Sequence, residues 1–263
     1  MKPTILITGA SGFIGTRLVN AMKKEKYNVC EVDKKLGSDV TNYKQMDGIF
    51  SFFTPNIVVH LAAELSNDLF PNIKDNCYGT YVITKLCKKH KVKKLIFSSS
   101  AAVYGNNSNA LETDYLRPIN FYGMAKKYCE KIIQRFGVPY VILRFSNVYG
   151  KDGKGIISKL IEEQTPVITS PQHYTRDFIH ALDICNAIIK SLKYRKNNVF
   201  NISSSKAISI GVLPIKIGKT IKNSIKHKRE IKFSCLNNTK AKKELKWTPK
   251  ISLEKGIKEY ELL

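Results

Sequence analysis

The chain has 263 residues, 43% of them hydrophobic, which predicts one large folded core with at most a small additional lobe. Its 44 lysine and arginine residues against 21 acidic residues give a net charge of +23, but they are scattered without an aromatic-interleaved stripe, so solvated lysine faces are favoured over a nucleic-acid site. The six cysteines form no CxxC pair and no apolar run approaches the ~18 residues of a membrane helix, so we expect a cytoplasmic protein without a metal site, disulfides or a membrane span.

Strand-like and helix-like segments alternate through the first two thirds of the chain, a pattern that is typical of βαβ units and a parallel sheet. The predicted strands are Thr4–Thr8, Asn28–Asp33, Asn56–Leu61, Lys94–Ser99 and Pro139–Phe145. The predicted helices are Gly12–Lys24, Tyr43–Phe53, Asn72–Lys89 and Tyr122–Phe136. Because these crossovers have the length that a doubly wound fold requires, we expect an α/β, Rossmann-like parallel sheet with helices on both faces.

The pattern is less regular beyond Gly150, where we expect a small lobe made of inserted segments. Helices are predicted at Ile156–Glu163 and Leu182–Lys193, a strand at Val199–Ile202, and short helices near the C-terminus. The glycines of Gly150–Gly155 predict a mobile loop at the start of this region.

A glycine-rich turn follows the first predicted strand, with the sequence Thr8-Gly9-Ala10-Ser11-Gly12-Phe13-Ile14-Gly15. In a nucleotide-binding βα turn, such glycines permit the tight reversal, the close approach of the backbone to a pyrophosphate, and the packing of helix on strand. The amide groups at the start of the next helix then face the phosphates. The turn alone does not distinguish a dinucleotide site from an ordinary turn.

An acidic residue, Asp33, ends the second predicted strand 18 residues after the last of these glycines. A carboxylate at this place accepts hydrogen bonds from the adenosine ribose hydroxyls, which favours NAD over NADP. The neighbouring Lys34-Lys35 leaves open that a 2′-phosphate is neutralised here instead. Asp39-Val40 is placed to meet the adenine edge, and Asp39 is also a candidate N-cap for the following helix.

Tyr122 and Lys126 are four residues apart on a predicted helix and therefore lie on one face of it, where the ammonium group can favour the phenolate. Because the pKa of tyrosine is ordinarily ~10, an isolated tyrosine is a poor base near neutrality. Such pairs are common on helix surfaces. Ser98, Ser99 and Ser100, however, end the fourth predicted strand, where open α/β sheets bind ligands, so we predict an acid–base site of Tyr122 and Lys126 beside these three hydroxyl groups.

Further motifs extend this pattern along the chain. They are His60-Leu61-Ala62-Ala63, Asn76 within Asn76-Cys77-Tyr78-Gly79-Thr80, Ser100-Ala101-Ala102-Val103-Tyr104-Gly105, Glu112-Thr113-Asp114, Arg144-Phe145-Ser146-Asn147-Val148-Tyr149-Gly150, Arg176-Asp177-Phe178-Ile179-His180 with Asp183, Phe200-Asn201-Ile202, and Ala241-Lys242-Lys243-Glu244-Leu245 with Trp247 and Pro249. In this order and spacing, the chain resembles the extended short-chain dehydrogenase/reductases of the NAD-dependent sugar epimerase/dehydratase family, nearly from end to end. The resemblance implies an enzyme with NAD as cofactor and a nucleotide sugar as substrate.

The resemblance also implies a role for each matching residue. Tyr122 exchanges the hydroxyl proton of the reacting sugar carbon, Lys126 binds the nicotinamide ribose and biases Tyr122, and Ser100 holds the sugar oxygen. Asn147 and Arg176 bind the nucleoside diphosphate, and the branched guanidinium group suits phosphate. The implied cofactor-binding residues are Gly9, Ser11, Gly12, Phe13, Ile14, Gly15, Asp33, Asp39, Val40, Leu61, Ala62, Ala63, Asn76, Ser98, Tyr122 and Lys126. We interpret the motif residues His180 and Asp183 as packing and capping groups.

The expected organisation is an NAD-binding Rossmann domain at 1–150 that carries the catalytic serine, tyrosine and lysine. Residues 151–263 are expected to form mostly a small substrate-binding lobe, with segments around 176–202 returning to the Rossmann core. The chain departs from the family in this lobe, because the segment between Gly150 and Arg176 is shorter than in many relatives. We expect the protein to be a homodimer without membrane or nucleic-acid partners.

A second departure concerns the reaction. Ala101 and Ala102 occupy the places of the acid pair with which the family's dehydratases eliminate water, which disfavours a 4,6-dehydratase. We therefore predict an NAD-dependent nucleotide-sugar 4-epimerase. An NAD(P)H-dependent 4-ketoreductase of a nucleotide-linked keto-deoxy sugar uses the same residues and stays open, and an inactive cofactor-binding protein that binds RNA is a less favoured third reading.

Overall fold

The computed structural model describes residues 2–164, 166–168, 170–220, 222–223 and 230–260. The strands are β1 (Thr4–Thr8), β2 (Asn28–Val32), β3 (Ile57–His60), β4 (Lys94–Ser100), β5 (Asn107–Ala110), β6 (Tyr140–Phe145), β7 (Asn147–Tyr149), β8 (Val167–Ile168), β9 (Thr175–His180), β10 (Asn198–Ile202), β11 (Ala207–Ser209), β12 (Lys222–Asn223) and β13 (Phe233–Leu236). The α-helices are α1 (Phe13–Lys24), α2 (Tyr43–Phe53), the single turn α3 (Leu69–Pro71), α4 (Gly79–Lys89), α5 (Phe121–Phe136), α6 (Ile156–Glu162), α7 (Ala181–Ser191), α8 (Val212–Ile217), α9 (Thr239–Glu244) and α10 (Leu253–Lys258). Two 3-10 turns, Lys34–Leu36 and Ala101–Val103, and a π-helix, Asn72–Tyr78, complete the regular structure of the described residues.

A parallel sheet of six strands forms the centre of the molecule, in the order β10-β6-β4-β3-β1-β2. Its inner strands are apolar along their length because both faces are covered, and Ile5, Leu6 and Ile7 of β1 are all fully buried. Alternate residues of β1 enter different cores, with Ile5 and Ile7 in one and Leu6 in the other. The predicted α/β fold with a doubly wound parallel sheet is confirmed.

Each face of this sheet packs against its own helices. Leu18 of α1 and Ile184 of α7 join one core, which also takes in Trp247 from near the C-terminus. Phe50 of α2 and Ile133 of α5 belong to the core on the opposite face. Truncating a buried side chain of this size to alanine typically costs ~2–5 kcal/mol of folding free energy, so these two cores fix the helices relative to the strand ends.

The predicted helix Asn72–Lys89 is the main difference from the expected elements around this sheet. The structure instead has the turn α3, the π-helix and then α4. In the π-helix, Nδ2 of the buried Asn76 donates to the Glu64 carbonyl group and to Asn72 Oδ1. Nδ2 of Asn72 donates in turn to the carbonyl groups of Ser66 and Asp68. The wider turn therefore aligns two asparagine side chains on the 64–68 loop, an arrangement that helical periodicity does not reveal.

The polar residues after β2 also differ from expectation. Strand β2 stops at Val32 because the Asp33 side chain accepts from the Lys35 amide and caps the 3-10 turn. Helix α2 is capped by Asn42, so the interpretation of Asp39 as its N-cap is wrong. The Asp39 carboxylate accepts instead from the amide and hydroxyl groups of Thr41, both at 2.8 Å.

A second sheet, in the order β11-β9-β13-β5 with β7 paired to β9, was not expected from the sequence. Its strands are short and partly polar; β5, for example, reads Asn-Ser-Asn-Ala and has no apolar alternation. A separate apolar cluster, with Tyr149, Leu160, Phe178 and Leu213, lies in this region. The chain then returns to the large sheet, where β10 pairs with β6. Within the described ranges, the helices are too short or too polar to cross a membrane.

Candidate active site

The glycine turn after β1 fits a dinucleotide pyrophosphate. Gly9 has a φ of +70°, and a Cβ atom there would lie 2.7 Å from the Ala62 amide nitrogen. A Cβ atom on Gly15 would collide with the Gly9 carbonyl group, so this glycine is what lets α1 pack on the strand. Helix α1 begins after Gly12. Within the described residues, no side chain caps its first amide groups by a hydrogen bond, and its first turn contains no acidic residue. This uncapped helix start is a place for an anion.

The Asp33 carboxylate lies against this turn. Its Oδ2 accepts from the Ser11 amide at 3.1 Å, and its Oδ1 accepts from the Lys35 amide at 2.9 Å. A carboxylate has more acceptor capacity than these two bonds use, so ribose hydroxyl groups can still bind to it. Val40, the residue expected at the adenine, is buried and lies beneath α4, where a Cβ atom on Gly79 would be 3.0 Å from its Cγ2.

The segment after β3 borders the other side of the turn. The Leu61 amide donates to the Thr8 carbonyl at 3.1 Å, and the Ala62 amide donates to Thr8 Oγ1 at 3.2 Å. The structure thus brings Leu61 and Ala62 next to the glycines, and Ala63 follows them in the chain. Asn76 is different, because its amide group is engaged by Glu64 and Asn72. Its observed contacts hold the loop that follows Ala63.

The predicted acid–base residues meet where β4 ends. Helix α5 begins at Phe121, capped by Asn120, so Tyr122 lies in its first turn. A Cβ atom on Gly123 would lie 2.5 Å from the Ala102 carbonyl oxygen, which shows how closely α5 approaches the turn after Ser100. Burial raises the pKa of Tyr122 to about 12, while the nearby Ser100 hydroxyl acts to lower this pKa. Ser100 Oγ accepts from the Ala102 amide at 3.2 Å. The structure therefore brings Tyr122 and Ser100 together.

Lys126 is buried one helical turn beyond Tyr122. Its Nζ donates to the Ser98 carbonyl at 2.8 Å and lies 5.8 Å from the centroid of the Tyr122 ring. Burial lowers the pKa of Lys126 to about 8, a shift that the nearby Cys129, Glu130 and Cys77 partly oppose. The lysine is thus held at the same strand end as the serine and the tyrosine.

A buried ion pair beneath these residues was not predicted. Glu130 binds Arg144 through two contacts, at 2.9 Å to Nε and 2.7 Å to Nη2, and it also accepts from Ser99 Oγ at 2.5 Å. Arg144 in turn donates to the Tyr104 hydroxyl at 2.6 Å. The signal in the sequence is the spacing, because Glu130 is four residues after Lys126 and falls on the same, otherwise buried face of α5.

The predicted substrate residues lie on neighbouring strands. Asn147 of β7 donates to the Asp177 carbonyl at 3.2 Å, and β7 pairs with β9, which carries Arg176. The Arg176 guanidinium group lies 2.8 Å from Glu230 Oε1, a partner that sequence reasoning missed. Glu230 Oε2 is buried and has no hydrogen-bond partner within the described residues. The only signal for Glu230 is an acid within a basic stretch of the sequence.

The motif residues His180 and Asp183 have structural contacts, in agreement with their interpretation. His180 Nδ1 accepts from the Leu182 amide at 3.3 Å and caps α7. Asp183 accepts from the amides of Lys250 and Ile251 at 2.9 and 3.0 Å. The described residues hold no group of three or more side chains that could bind a metal ion.

Known proteins are similar to this chain in sequence and fold. The family model of the NAD dependent epimerase/dehydratase family matches residues 5–203. UDP-glucose 4-epimerase of Thermotoga maritima, solved with UDP-glucose, is 30% identical, covers 98% of both chains and has a TM-score of 0.86. UDP-glucuronic acid 4-epimerase of Bacillus cereus, solved with UDP-glucuronic acid and NAD, is 27% identical, covers 98% of both chains and has a TM-score of 0.87. UDP-glucuronate 4-epimerase of Thermodesulfobacterium geofontis is 29% identical over 96% of this chain and 93% of its own. With a family match over most of its length, the chain belongs to the NAD-dependent epimerase/dehydratase family and is an enzyme that uses NAD.

Proposed function

We propose that the protein is an NAD-dependent 4-epimerase of a nucleotide-linked hexose. The observation that carries this proposal is the position of Tyr122 and Ser100, which meet at the carboxyl end of β4, with Lys126 bound to the carbonyl of Ser98 at the same strand end. Open α/β sheets bind ligands at this edge. The glycine turn follows the carboxyl end of β1, which is separated from β4 only by β3, so it lies at the same edge of the parallel sheet.

In the proposed reaction, Tyr122 takes the proton from the sugar 4-hydroxyl group and returns it after the 4-keto sugar has turned in the site. Ser100 donates to the same sugar oxygen and keeps it near the phenol. Bound NAD supplies the reversible oxidation of carbon 4. The partly buried phenol of Tyr122 is protonated at neutral pH when its pKa is about 12, so a positive charge beside it is needed to lower the pKa. Lys126 supplies one such charge.

Two features support epimerisation over the other reactions. Ala101 and Ala102 are buried and carry no acid, and a dehydratase needs an acid pair at these places for the elimination of water. The Thermotoga and Bacillus relatives are named as 4-epimerases of UDP-sugars, which supports a UDP-hexose or a UDP-hexuronic acid as the substrate class. A 4-ketoreductase uses the same three side chains and is distinguished by experiment.

For the substrate site, we infer that Asn147 and Arg176 contact the diphosphate. Asn147 lies on β7, just before the region that we assign to substrate binding, 151–263, and Arg176 lies within that region on β9, which pairs with β7. Arg176 Nη1 donates to the carbonyl groups of Thr175 and Lys232, and Nη2 donates to Glu230, so Nε and one hydrogen of Nη2 are left for a phosphate. We further infer that residues 1–150 are the cofactor domain, and that α7 and β10 are parts of 176–202 that return to it.

The test is proton NMR of the anomeric signals of a panel of UDP- and dTDP-hexoses, incubated with the enzyme and catalytic NAD. We expect one member of the panel to convert to its C4 epimer while the total amount of reduced cofactor stays constant. A parallel absorbance assay supplies keto sugars with NADH or NADPH. Stoichiometric loss of reduced cofactor, with no epimer formed anywhere in the panel, would reject the epimerase in favour of the ketoreductase.

We also propose that the protein is a homodimer, formed by the exposed face of the π-helix and α5. A groove of about 770 Å³ on this face is lined largely by apolar and aromatic side chains, among them Ile73, Tyr78 and Tyr128, which are 51%, 47% and 58% exposed. Exposed apolar patches of this kind mark interfaces. Sedimentation should show a dimer that Tyr128→Asp dissociates, whereas Phe52→Asp, at an exposed position on α2, should not. A monomeric wild-type protein would contradict this assignment.

The six free thiols support a reducing compartment, and we therefore infer a cytoplasmic enzyme. The net charge of +23 is spread over scattered lysines rather than gathered in an aromatic-interleaved stripe, so it favours a solvated surface over an RNA site. A polyanion column distinguishes the remaining alternative, since an RNA-binding protein would be retained with a steep dependence on salt.

A further inference from the structure

The lysine that follows Asp33 is already paired with acidic residues. Lys34 Nζ lies 2.8 Å from Asp75 Oδ1 and 3.8 Å from Asp39 Oδ2. The hydrogen bond with Asp75 is the largest influence on Lys34 and raises its pKa, to which Asp39 and Glu64 also contribute. The ammonium group therefore stays charged at neutral pH and has two carboxylates as neighbours.

The two carboxylates are fixed in place, whereas the lysine is a flexible and half-exposed arm. Asp75 lies in the π-helix, next to Asn76, whose amide group is bonded to the main chain of Glu64. Asp39 is held by the two hydrogen bonds from Thr41. A lysine side chain is long and flexible, so its ammonium group takes the position that fixed carboxylate partners give it. The carboxylates of Asp75 and Asp39 therefore determine the position of the Lys34 ammonium group.

This position bears on the choice of cofactor. NAD and NADP differ only at the 2′ position of the adenosine ribose, which in NADP carries a phosphate, and Asp33 is the residue that contacts these hydroxyls in such sites. A 2′-phosphate beside Asp33 would be repelled by the carboxylates of Asp33, Asp39 and Asp75. Its binding therefore requires a cation that can move away from these carboxylates and pair with the phosphate. Lys34 is adjacent to Asp33 in the chain, and its ammonium group contacts both of these acids.

We propose that Asp75 is a specificity-determining residue that excludes NADP by holding the ammonium group of Lys34 away from the ribose 2′ position. In this account Asp33 favours the free hydroxyls of NAD, and Asp75 withholds the cation that a 2′-phosphate would need. The proposal concerns the cofactor alone, so it does not depend on the epimerase reaction proposed above.

The test compares the dissociation constants of NADH and NADPH, measured by fluorescence titration after any copurified cofactor has been removed. For Asp75→Asn we expect the dissociation constant of NADPH to fall about twofold to fivefold, within the range of an exposed ion pair, and that of NADH to stay unchanged. Adding Lys34→Met to Asp75→Asn should abolish the gain. Asp47→Asn is the matched control, because it frees Lys89 at a surface outside the cofactor site.

Three outcomes would overturn the proposal. The first is an unchanged NADPH affinity in a folded Asp75→Asn variant, with folding checked by circular dichroism and thermal melting. The second is a gain that survives in the double variant, which would show that Lys34 is not the cation concerned. The third is an equal weakening of both cofactors, which would make Asp75 a structural support for the adenosine site rather than a specificity residue.

Discussion

Tyr122 and Lys126 have opposite pKa shifts for one physical reason, the removal of a charged form from water. Burial raises the pKa of Tyr122 to about 12 and lowers that of Lys126 to about 8. At neutral pH the phenol of Tyr122 is therefore protonated, while Lys126, although its pKa is lowered, still carries its charge. Proton transfer from the substrate then requires the charge that the cofactor and Lys126 bring to the phenol.

The first prediction concerns the proton carrier. Tyr122→Phe keeps the ring volume and removes the hydroxyl group, so turnover should fall at least about a hundredfold, while NADH binding stays nearly unchanged. Tyr115→Phe is the matched control, because this tyrosine is 86% exposed and lies outside the site. A Tyr122→Phe enzyme with more than a tenth of wild-type turnover would refute the assignment of Tyr122.

The second prediction is a pH effect on stability. The pKa of Lys126 is lowered in the folded state, so the unfolded chain binds more protons between about pH 8 and pH 10, and the free energy of unfolding should rise over this window. Burying the charged form costs about 3 kcal/mol below this window. Lys126→Met should therefore be the more stable protein at pH 7, with the difference closing toward pH 10 in urea titrations. Parallel pH profiles of the two proteins would contradict the lowered pKa.

At the scale of elements, the position of α5 against the turn after β4 decides whether the site exists. Gly123→Ala places a methyl group 2.5 Å from the Ala102 carbonyl oxygen, so α5 must move outward, and stability should fall by about 1–3 kcal/mol with a loss of turnover. Gly48→Ala is the control, since this glycine in α2 has no atom within 4 Å of the new Cβ and should gain about 0.5–1 kcal/mol. Melting curves and initial rates test both. Full activity in Gly123→Ala would mean that the close approach is not needed.

The sequence predicts the elements of the large sheet because buried parallel strands are continuous apolar runs, as Ile5–Ile7 illustrates. It also locates Ser100, Tyr122 and Lys126, since strand ends and helix faces follow from local periodicity. The second sheet is missed because its short strands gain their stability from partners far along the chain, such as β5 with β13. The pairing of Arg176 with Glu230 is missed for the same reason. Contacts of this range leave no local pattern.

At the scale of the whole molecule, one buried acid ties the C-terminal segment to the nucleotide-binding half. Asp183 accepts from the amides of Lys250 and Ile251, and its own carbonyl accepts from the Trp247 indole at 3.1 Å. Asp183→Ala leaves two amides without acceptors, so stability should fall by about 2–4 kcal/mol, still in one cooperative transition. Asp68→Ala, at an exposed position, should cost much less. Two separate unfolding transitions in the wild-type protein would contradict this coupling.

The central claim is that carbon 4 of the sugar is oxidised and reduced within one bound complex. The most direct measurement uses a nucleotide sugar deuterated at C4, taken from the panel member that is converted, with NMR and mass spectrometry of the product. The account predicts that the C4 epimer retains nearly all of the deuterium, and that the total of reduced cofactor does not change during turnover. Product without deuterium at C4, or consumption of one reduced cofactor for each product formed, would contradict it.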